Sequence, residues 1–307
     1  MRVIVTGAGG FVGAVLNERL KAAVPHAHIV GVDVACASTI DLTGDLADPR
    51  FRAAMIGDGV DVLIHLAAIP GGAAERDPSL SRRINLDATL ALFDVATASG
   101  RRPRIVYAST VAVLGDNLPA IVTDETPLRP AMTYGAHKLM VEVALADLHR
   151  RGRADAVSLR LPGIVARPPA PSGLKSAFLS DIFYAHAGRR DFVCPVSAEG
   201  RTWLMSVDRC VENIIFAATA DMTNLPASRA VTLPALRVRI GDLVDTLAAR
   251  EATQAGSVTY RPDTSLERTF ASHPPLVTEA AKTAGFDRDA SLDELVDRVL
   301  ARIASAT

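Results

Sequence analysis

The sequence predicts an α/β architecture, a doubly wound parallel sheet followed by a smaller mixed α/β lobe. Three observations carry this. A glycine cluster, Thr6-Gly7-Ala8-Gly9-Gly10-Phe11-Val12-Gly13, stands between a short apolar run and an amphipathic stretch. An acid, Asp33, closes the next apolar run twenty residues beyond Gly13. Apolar runs of strand length then alternate with helical patterns, joined by short connections. Glycines spaced this way after a strand and before a helix make the sheet Rossmann-type.

The elements follow in order. Residues 2–6 form the first strand, and Phe11, Val12, Val15, Leu16 and Leu20 share one face of the helix after the glycines. Residues 28–32, 60–66, 104–107 and 157–161 are apolar enough for buried strands. Residues 79–98 and 133–150 carry helical patterns. Pro70-Gly71-Gly72 is expected to be a flexible loop at the mouth of the site. Pro162, Pro168, Pro169 and Pro171 crowd a loop, after which the elements become shorter and mixed. That shift places a dinucleotide-binding domain at 1–162 and a mainly substrate-binding lobe at 163–307, with some segments returning to the first domain. A last helix spans 291–303, opened by a Ser291/Glu294 capping box.

Composition bounds the function. With 307 residues, 49% hydrophobic and 22% charged, the chain is long and apolar enough for a large globular core. A net charge of -1 offers no basic surface for nucleic acid and no polybasic block for a membrane. Cys36, Cys194 and Cys210 show neither CxxC pairing nor metal-ligand spacing, so they are expected to be reduced thiols filling the core or its edge, and no metal is expected. The chain enters a strand at once and no stretch reaches the ~18 apolar residues of a membrane span, so a cytoplasmic protein is expected.

The glycine cluster is suited to a dinucleotide. Gly7 permits the tight turn, Gly10 lets backbone approach a pyrophosphate, and Gly13 lets helix and sheet pack closely. Free N–H groups at the helix start favour phosphate there. A carboxylate at Asp33 accepts from a ribose 2′-hydroxyl and repels a 2′-phosphate, which selects NAD over NADP. Further on, Tyr134 and Lys138 stand four residues apart, on one face of a helix. A free tyrosine, with a pKa near ~10, is a poor base at neutral pH. A neighbouring ammonium is expected to favour its phenolate.

Together these residues resemble the extended short-chain dehydrogenase/reductase superfamily, and within it the NAD-dependent epimerase/dehydratase branch. The resemblance runs through Thr6 to Gly13, Asp45-Leu46, His65-Leu66-Ala67-Ala68, Asn85-Leu86-Asp87-Ala88-Thr89, Ala108-Ser109-Thr110 and Tyr134-Gly135-Ala136-His137-Lys138. It implies an NAD-dependent oxidoreductase with Tyr134 as proton-transfer group, Lys138 beside it on the nicotinamide ribose, and a hydroxyl from Thr110 or Ser109 on the reacting oxygen. It places Asp45 and Leu46 beside the adenine and Leu66, Ala67 and Ala68 along the cofactor. Gly7, Gly10, Phe11, Val12, Gly13, Asp33 and Pro162 complete the cofactor contacts, and Asn85 either joins them or holds backbone between helix and sheet. It also implies a homodimer built on residues 79–98 and 133–150.

The substrate is read from the second half. Nucleotide-sugar enzymes of the branch carry an asparagine after the strand that here continues Arg160-Leu161-Pro162-Gly163-Ile164-Val165. That departure, with the segments 173–183, 192–197 and 203–207, resembles dehydrogenases that oxidise a four-carbon sugar acid at carbon 2. Lys175 or Arg201 is then expected on the carboxylate, Tyr134 on the reacting hydroxyl, and Ser109, Thr110, Ser176 and, unless it holds backbone, Asn85 on the hydroxyls. A nucleotide-sugar epimerase or dehydratase and an L-threonine 3-dehydrogenase-like enzyme are the alternatives, with a catalytically silent cofactor-binding module behind them. His65 is expected to pack at a strand end, His137 to point away from the chemistry, and Trp203 to anchor apolar surface.

Overall fold

The computed structural model describes residues 1–169, 175–250 and 256–305. Pro171, Gly173 and Leu174, singled out above, lie outside the described residues.

Seven parallel strands make the main sheet: β1 (Arg2–Thr6), β2 (His28–Asp33), β3 (Leu42–Thr43), β4 (Val62–His65), β5 (Arg104–Thr110), β6 (Asp155–Leu161) and, much later in the chain, β10 (Ala230–Thr232). Their order is β10-β6-β5-β4-β1-β2-β3. The order reverses beside β1, which opens a crevice at the carboxyl ends of the strands, where ligands of such sheets bind. The central strands are continuous apolar runs because both faces are covered: Val3, Ile4, Val5, Leu63, Ile64, Ile105 and Val106 are all buried. On one face, helices Phe11–Ala23 and Val207–Thr219 bury Leu16, Leu20, Val211 and Ile214 against Val5, Ile64 and Val106. On the other, helices Pro49–Ile56, Thr89–Thr97 and Thr133–Arg150 bury Met55, Phe93, Val141 and Leu145 against Ile4, Leu63 and Tyr107.

The chain crosses between its two parts more than once. Helix Val207–Thr219 and β10 follow the proline loop, yet both complete the main sheet. The smaller part has its own core, with Phe183, Leu204, Leu243 and Leu295 among its buried residues. It holds β7 (Gly163–Val165), β9 (Arg201–Ser206) and β11 (Leu236–Arg239) in one mixed sheet, and β8 (Phe192–Cys194) paired with β12 (Val258–Tyr260).

Several elements depart from expectation. Pro70-Gly71-Gly72 is not a loop: Pro70 caps a helix, Gly71–Arg76, whose Ala-Ala-Glu-Arg sequence favours helix once the turn has started. Glu75 Oε1 in that helix accepts from the Thr133 N–H at 2.5 Å, tying it to the start of Thr133–Arg150. The predicted helix at 79–98 is interrupted by a π-helical segment, Arg82–Ala88. The capping box is shifted by one residue: Ser291 Oγ accepts from Glu294 N at 3.1 Å, and Glu294 reaches back to Ala290 N at 2.6 Å. Cys194 and Cys210 are buried as expected, but Cys36 is exposed in the loop after β2. No helix among the described residues is long and apolar enough to cross a membrane.

Candidate active site

The carboxyl ends of β1, β2, β4, β5 and β6 open into one cleft of about 1790 Å³, closed on its far side by β9 and helix Phe178–Ala187. Its near wall is the glycine turn. Gly7 has φ 73°, and a side chain there would drive a Cβ to 2.6 Å from the Ala67 nitrogen. A Cβ on Gly13 would come within 2.1 Å of the Gly7 carbonyl oxygen, so helix and turn meet only because residue 13 has no side chain. Helix Phe11–Ala23 starts at Gly10 with no side chain capping its free N–H groups. Those donors face the cleft, as an anion site requires. At the end of β2, Asp33 accepts from Gly9 N at 2.9 Å and from Ala35 N at 3.0 Å, which fixes its carboxylate at the cleft edge.

The deep end is organised by β5 and helix Thr133–Arg150. Tyr134 and Lys138 both line the cleft. The Lys138 ammonium donates to the Ala108 carbonyl at 2.7 Å and sits 4.6 Å from the Tyr107 ring centroid and 5.6 Å from that of Tyr134. Burial brings Lys138 down to about 7, with the Glu142 carboxylate opposing the shift. Burial pushes the Tyr134 phenol up to about 12, and the Arg167 guanidinium pulls it back. The expected depression of Tyr134 by Lys138 is not found: burial sets the direction, and the cation that opposes it is Arg167.

The two candidate hydroxyls are separated by strand alternation. Ser109 is buried and donates to Glu142 Oε1 beneath the helix. The same carboxylate takes Arg160 Nη2 at 2.8 Å and Arg160 Nε at 3.1 Å, and Ser109 and Arg160 are neighbours across β5 and β6. Thr110 Oγ1 accepts from Ala112 N at 3.1 Å, capping the short turn Val111–Leu114 and leaving its own proton free to donate.

The NAD dependent epimerase/dehydratase family model matches residues 3–224. The chain belongs to that family. Over 96% of its length it is 33% identical to a D-erythronate dehydrogenase of Cupriavidus necator, covering 97% of that protein. It is 29% identical to a D-erythronate dehydrogenase of Haemophilus influenzae over 98% of this chain and 99% of that one. Among solved structures, a nucleoside-diphosphate-sugar epimerase from Agrobacterium tumefaciens superposes with a TM-score of 0.90 at 29% identity, covering 100% of this chain and 95% of that one. The chain is thus an NAD-dependent oxidoreductase on a Rossmann-type sheet, as its motifs implied.

The residues of the cleft fit the family's cofactor. A Cβ on Gly10 would meet only the Gly7 carbonyl, at 3.2 Å, so its outer side is bare and backbone can approach a phosphate. Gly7, Gly10, Phe11, Val12, Gly13, Asp33, Asp45, Leu46, Leu66, Ala67, Ala68 and Pro162 all line the cleft, as do Ser109, Thr110, Lys175 and Ser176. Two expected residues stand elsewhere. Asn85 is buried outside the cleft and clamps Ile69, donating to its carbonyl at 2.9 Å and accepting from its N–H at 2.7 Å. It holds the strand-end loop that lines the cleft, which is the backbone-holding alternative. Arg201 is not on the cleft wall: its backbone is pinned to Ala271 and His273 while Thr202 and Trp203 take the wall positions.

His65 is packed as expected, between Thr6 Oγ1 at 2.6 Å and Thr89 Oγ1 at 3.0 Å, and burial holds it down to about 3. His137 bonds Ser81 Oγ at 2.9 Å, away from the chemistry. Trp203 is buried, donates to the Pro274 carbonyl at 2.8 Å, and stacks on His273 at 4.4 Å. Sequence reading missed His273 and Arg167 as cleft residues. A signal for Arg167 existed: a cation just past the carboxyl end of a sheet strand, where loops carry function.

Proposed function

We propose that the enzyme oxidises the 2-hydroxyl of a four-carbon sugar acid, D-erythronate, to the 2-keto acid, with Tyr134 as general base. The single observation that carries the reaction type is Tyr134 and Lys138 on one cleft wall with a threonine hydroxyl at the end of the facing strand. Bound NAD would supply the hydride acceptor and, when oxidised, a positive ring near the phenol. The chain's own groups divide the remaining work. Thr110 donates its free proton to the reacting oxygen and orients it. Tyr134 removes the hydroxyl proton once nearby positive charge has offset its burial. Lys138 holds that charge between two aromatic rings. Ser109 is committed to Glu142 and supports the wall from behind. The substrate assignment is supported by near full-length similarity to two D-erythronate dehydrogenases. It is tested by mixing enzyme, NAD and D-erythronate and following NADH absorbance. We expect steady NADH formation, and at least about 100-fold lower kcat/KM with NADP, because Asp33 repels a 2′-phosphate. No NADH formation from D-erythronate would sink the assignment.

A second reading, nucleotide-sugar epimerisation, draws on the similarity to the Agrobacterium tumefaciens epimerase. It differs in outcome: cofactor recycled on the enzyme and no net NADH.

The enzyme is also proposed to act as a homodimer through helix Thr133–Arg150. Met140 and Val143 are exposed there at 45% and 65%, and Ala136, Leu139, Met140 and Val143 form an apolar stripe beside Pro130. Paired Met140→Glu and Val143→Glu changes are expected to shift gel filtration from dimer to monomer. A monomeric wild-type elution removes the proposal.

A further inference from the structure

We propose that Arg167 binds the substrate's carboxylate and so selects 2-hydroxy acids over neutral alcohols. The inference rests on the sugar-acid reading and adds the residue that makes it selective. In a 2-hydroxy acid the carboxylate is attached directly to the carbon being oxidised. Its partner must therefore be a cation close to Tyr134, with no other anion to hold.

The cationic side chains on the cleft wall are Arg76, Arg83, Lys138, Arg167, Lys175 and Arg190. Arg83 is engaged with Asp45 at 3.2 Å. Arg190 donates to the Tyr184 carbonyl at 3.3 Å. Lys138 is held on the Ala108 carbonyl. Among the described residues Arg167, like Arg76 and Lys175, has no carboxylate within ion-pairing distance; what sets it apart is where its guanidinium lies. That group lies 5.6 Å from the Phe11 ring centroid, at the start of the dinucleotide helix. It is also the cation whose field reaches the Tyr134 phenol.

Local sequence holds it there. Arg167 precedes Pro168 and Pro169, and a residue before proline is restricted to extended backbone. Its N–H donates to Ser180 Oγ at 3.0 Å, which ties the segment to helix Phe178–Ala187. The backbone that carries the side chain is thus fixed at the cleft wall. A guanidinium offers two parallel N–H donors to a carboxylate, geometry that an ammonium lacks. Arg167 and Lys175 are both exposed, but Arg167 is the one whose charge reaches the Tyr134 phenol, and Arg201 is off the wall, so Arg167 replaces both as carboxylate partner.

The test compares wild type, Arg167→Met and Arg167→Lys. D-erythronate and the neutral polyol erythritol are titrated against the enzyme–NADH complex by calorimetry, and NADH is titrated separately by fluorescence. Arg167→Met should weaken D-erythronate binding on the order of 100-fold, with KM rising in step, and kcat should fall by less, as the Tyr134 phenol loses the guanidinium that pulls it down. NADH affinity should stay within about twofold, erythritol binding should not move, and Arg167→Lys should fall between. Unchanged D-erythronate binding in Arg167→Met overturns the proposal. So does a loss of NADH affinity with the acid-over-polyol preference intact, which would assign the guanidinium to the cofactor's phosphates. Wild type that binds D-erythronate but forms no NADH defeats the dehydrogenase reading alone; loss of that binding in Arg167→Met still supports Arg167. Wild type that neither binds nor oxidises it overturns both.

Discussion

Tyr134→Phe is expected to lower kcat by about 10³-fold, the range spanned when a positioned acid–base group is removed. The change deletes one oxygen from a side chain whose ring stays packed against the same wall. Lys138, 5.6 Å from that ring, keeps its bond to Ala108, so NADH affinity should hold. The pattern of low kcat with intact cofactor binding separates a lost base from a lost fold. The pH dependence sharpens this. The phenol stands at about 12, so Tyr134 is protonated at neutral pH and kcat/KM in wild type should climb as pH rises from about 5 to 7, before loss of the Lys138 ammonium, at about 7, turns it down. The climb should vanish in Tyr134→Phe. A phenylalanine variant with wild-type kcat would remove Tyr134 from the chemistry.

Much of this was legible in the sequence, because the parts concerned obey local rules. The glycine turn needs residues 7, 10 and 13 to lack side chains, and the 2.1 Å approach at Gly13 shows why. Tyr134 and Lys138 share a helix face whatever the tertiary context. What was illegible depends on distant partners. Ser109 and Thr110 are neighbours in sequence, and only the helix covering β5 decides that Ser109 turns to Glu142. Asn85 could have met a cofactor, but a π-helical segment aims its amide at Ile69. β10 is three residues long and carries no pattern of its own; its place beside β6 comes from the packing of helix Val207–Thr219. Arg167 lies in a proline run with no periodicity to mark which way it faces.

Arg160→Met is expected to destabilise the fold by about 3–5 kcal/mol, the cost of leaving a buried charge unpaired. Glu142 is 3% exposed and Arg160 8%, so neither can turn to water. With Arg160 gone, Glu142 keeps only the Ser109 hydroxyl and the more distant Lys138 charge. Urea denaturation should show the midpoint falling with an unchanged slope. The double variant Glu142→Leu/Arg160→Met should recover most of the loss, since removing both charges leaves only the Ser109 hydroxyl without its partner. Recovery of stability should not restore function: without Glu142 nothing opposes the desolvation of Lys138, its pKa falls further below about 7, and the ammonium is scarce at neutral pH. The alkaline limb of kcat should then begin at lower pH. Wild type offers an independent check through linkage. Lys138 stands near 7 folded against 10.5 unfolded, so between pH 7 and 9 the unfolded chain holds more protons. Stability should rise with pH across that window, by about 1 kcal/mol per pH unit. Above pH 9 the trend should reverse, because burial raises Cys210 from 9.0 to about 12 and Tyr134 from 10.0 to about 12, and the folded chain then holds the extra protons. A single Arg160→Met variant as stable as wild type would mean that the Glu142 carboxylate finds water or a proton, and that the helix carrying Tyr134 and Lys138 is held by its apolar face alone.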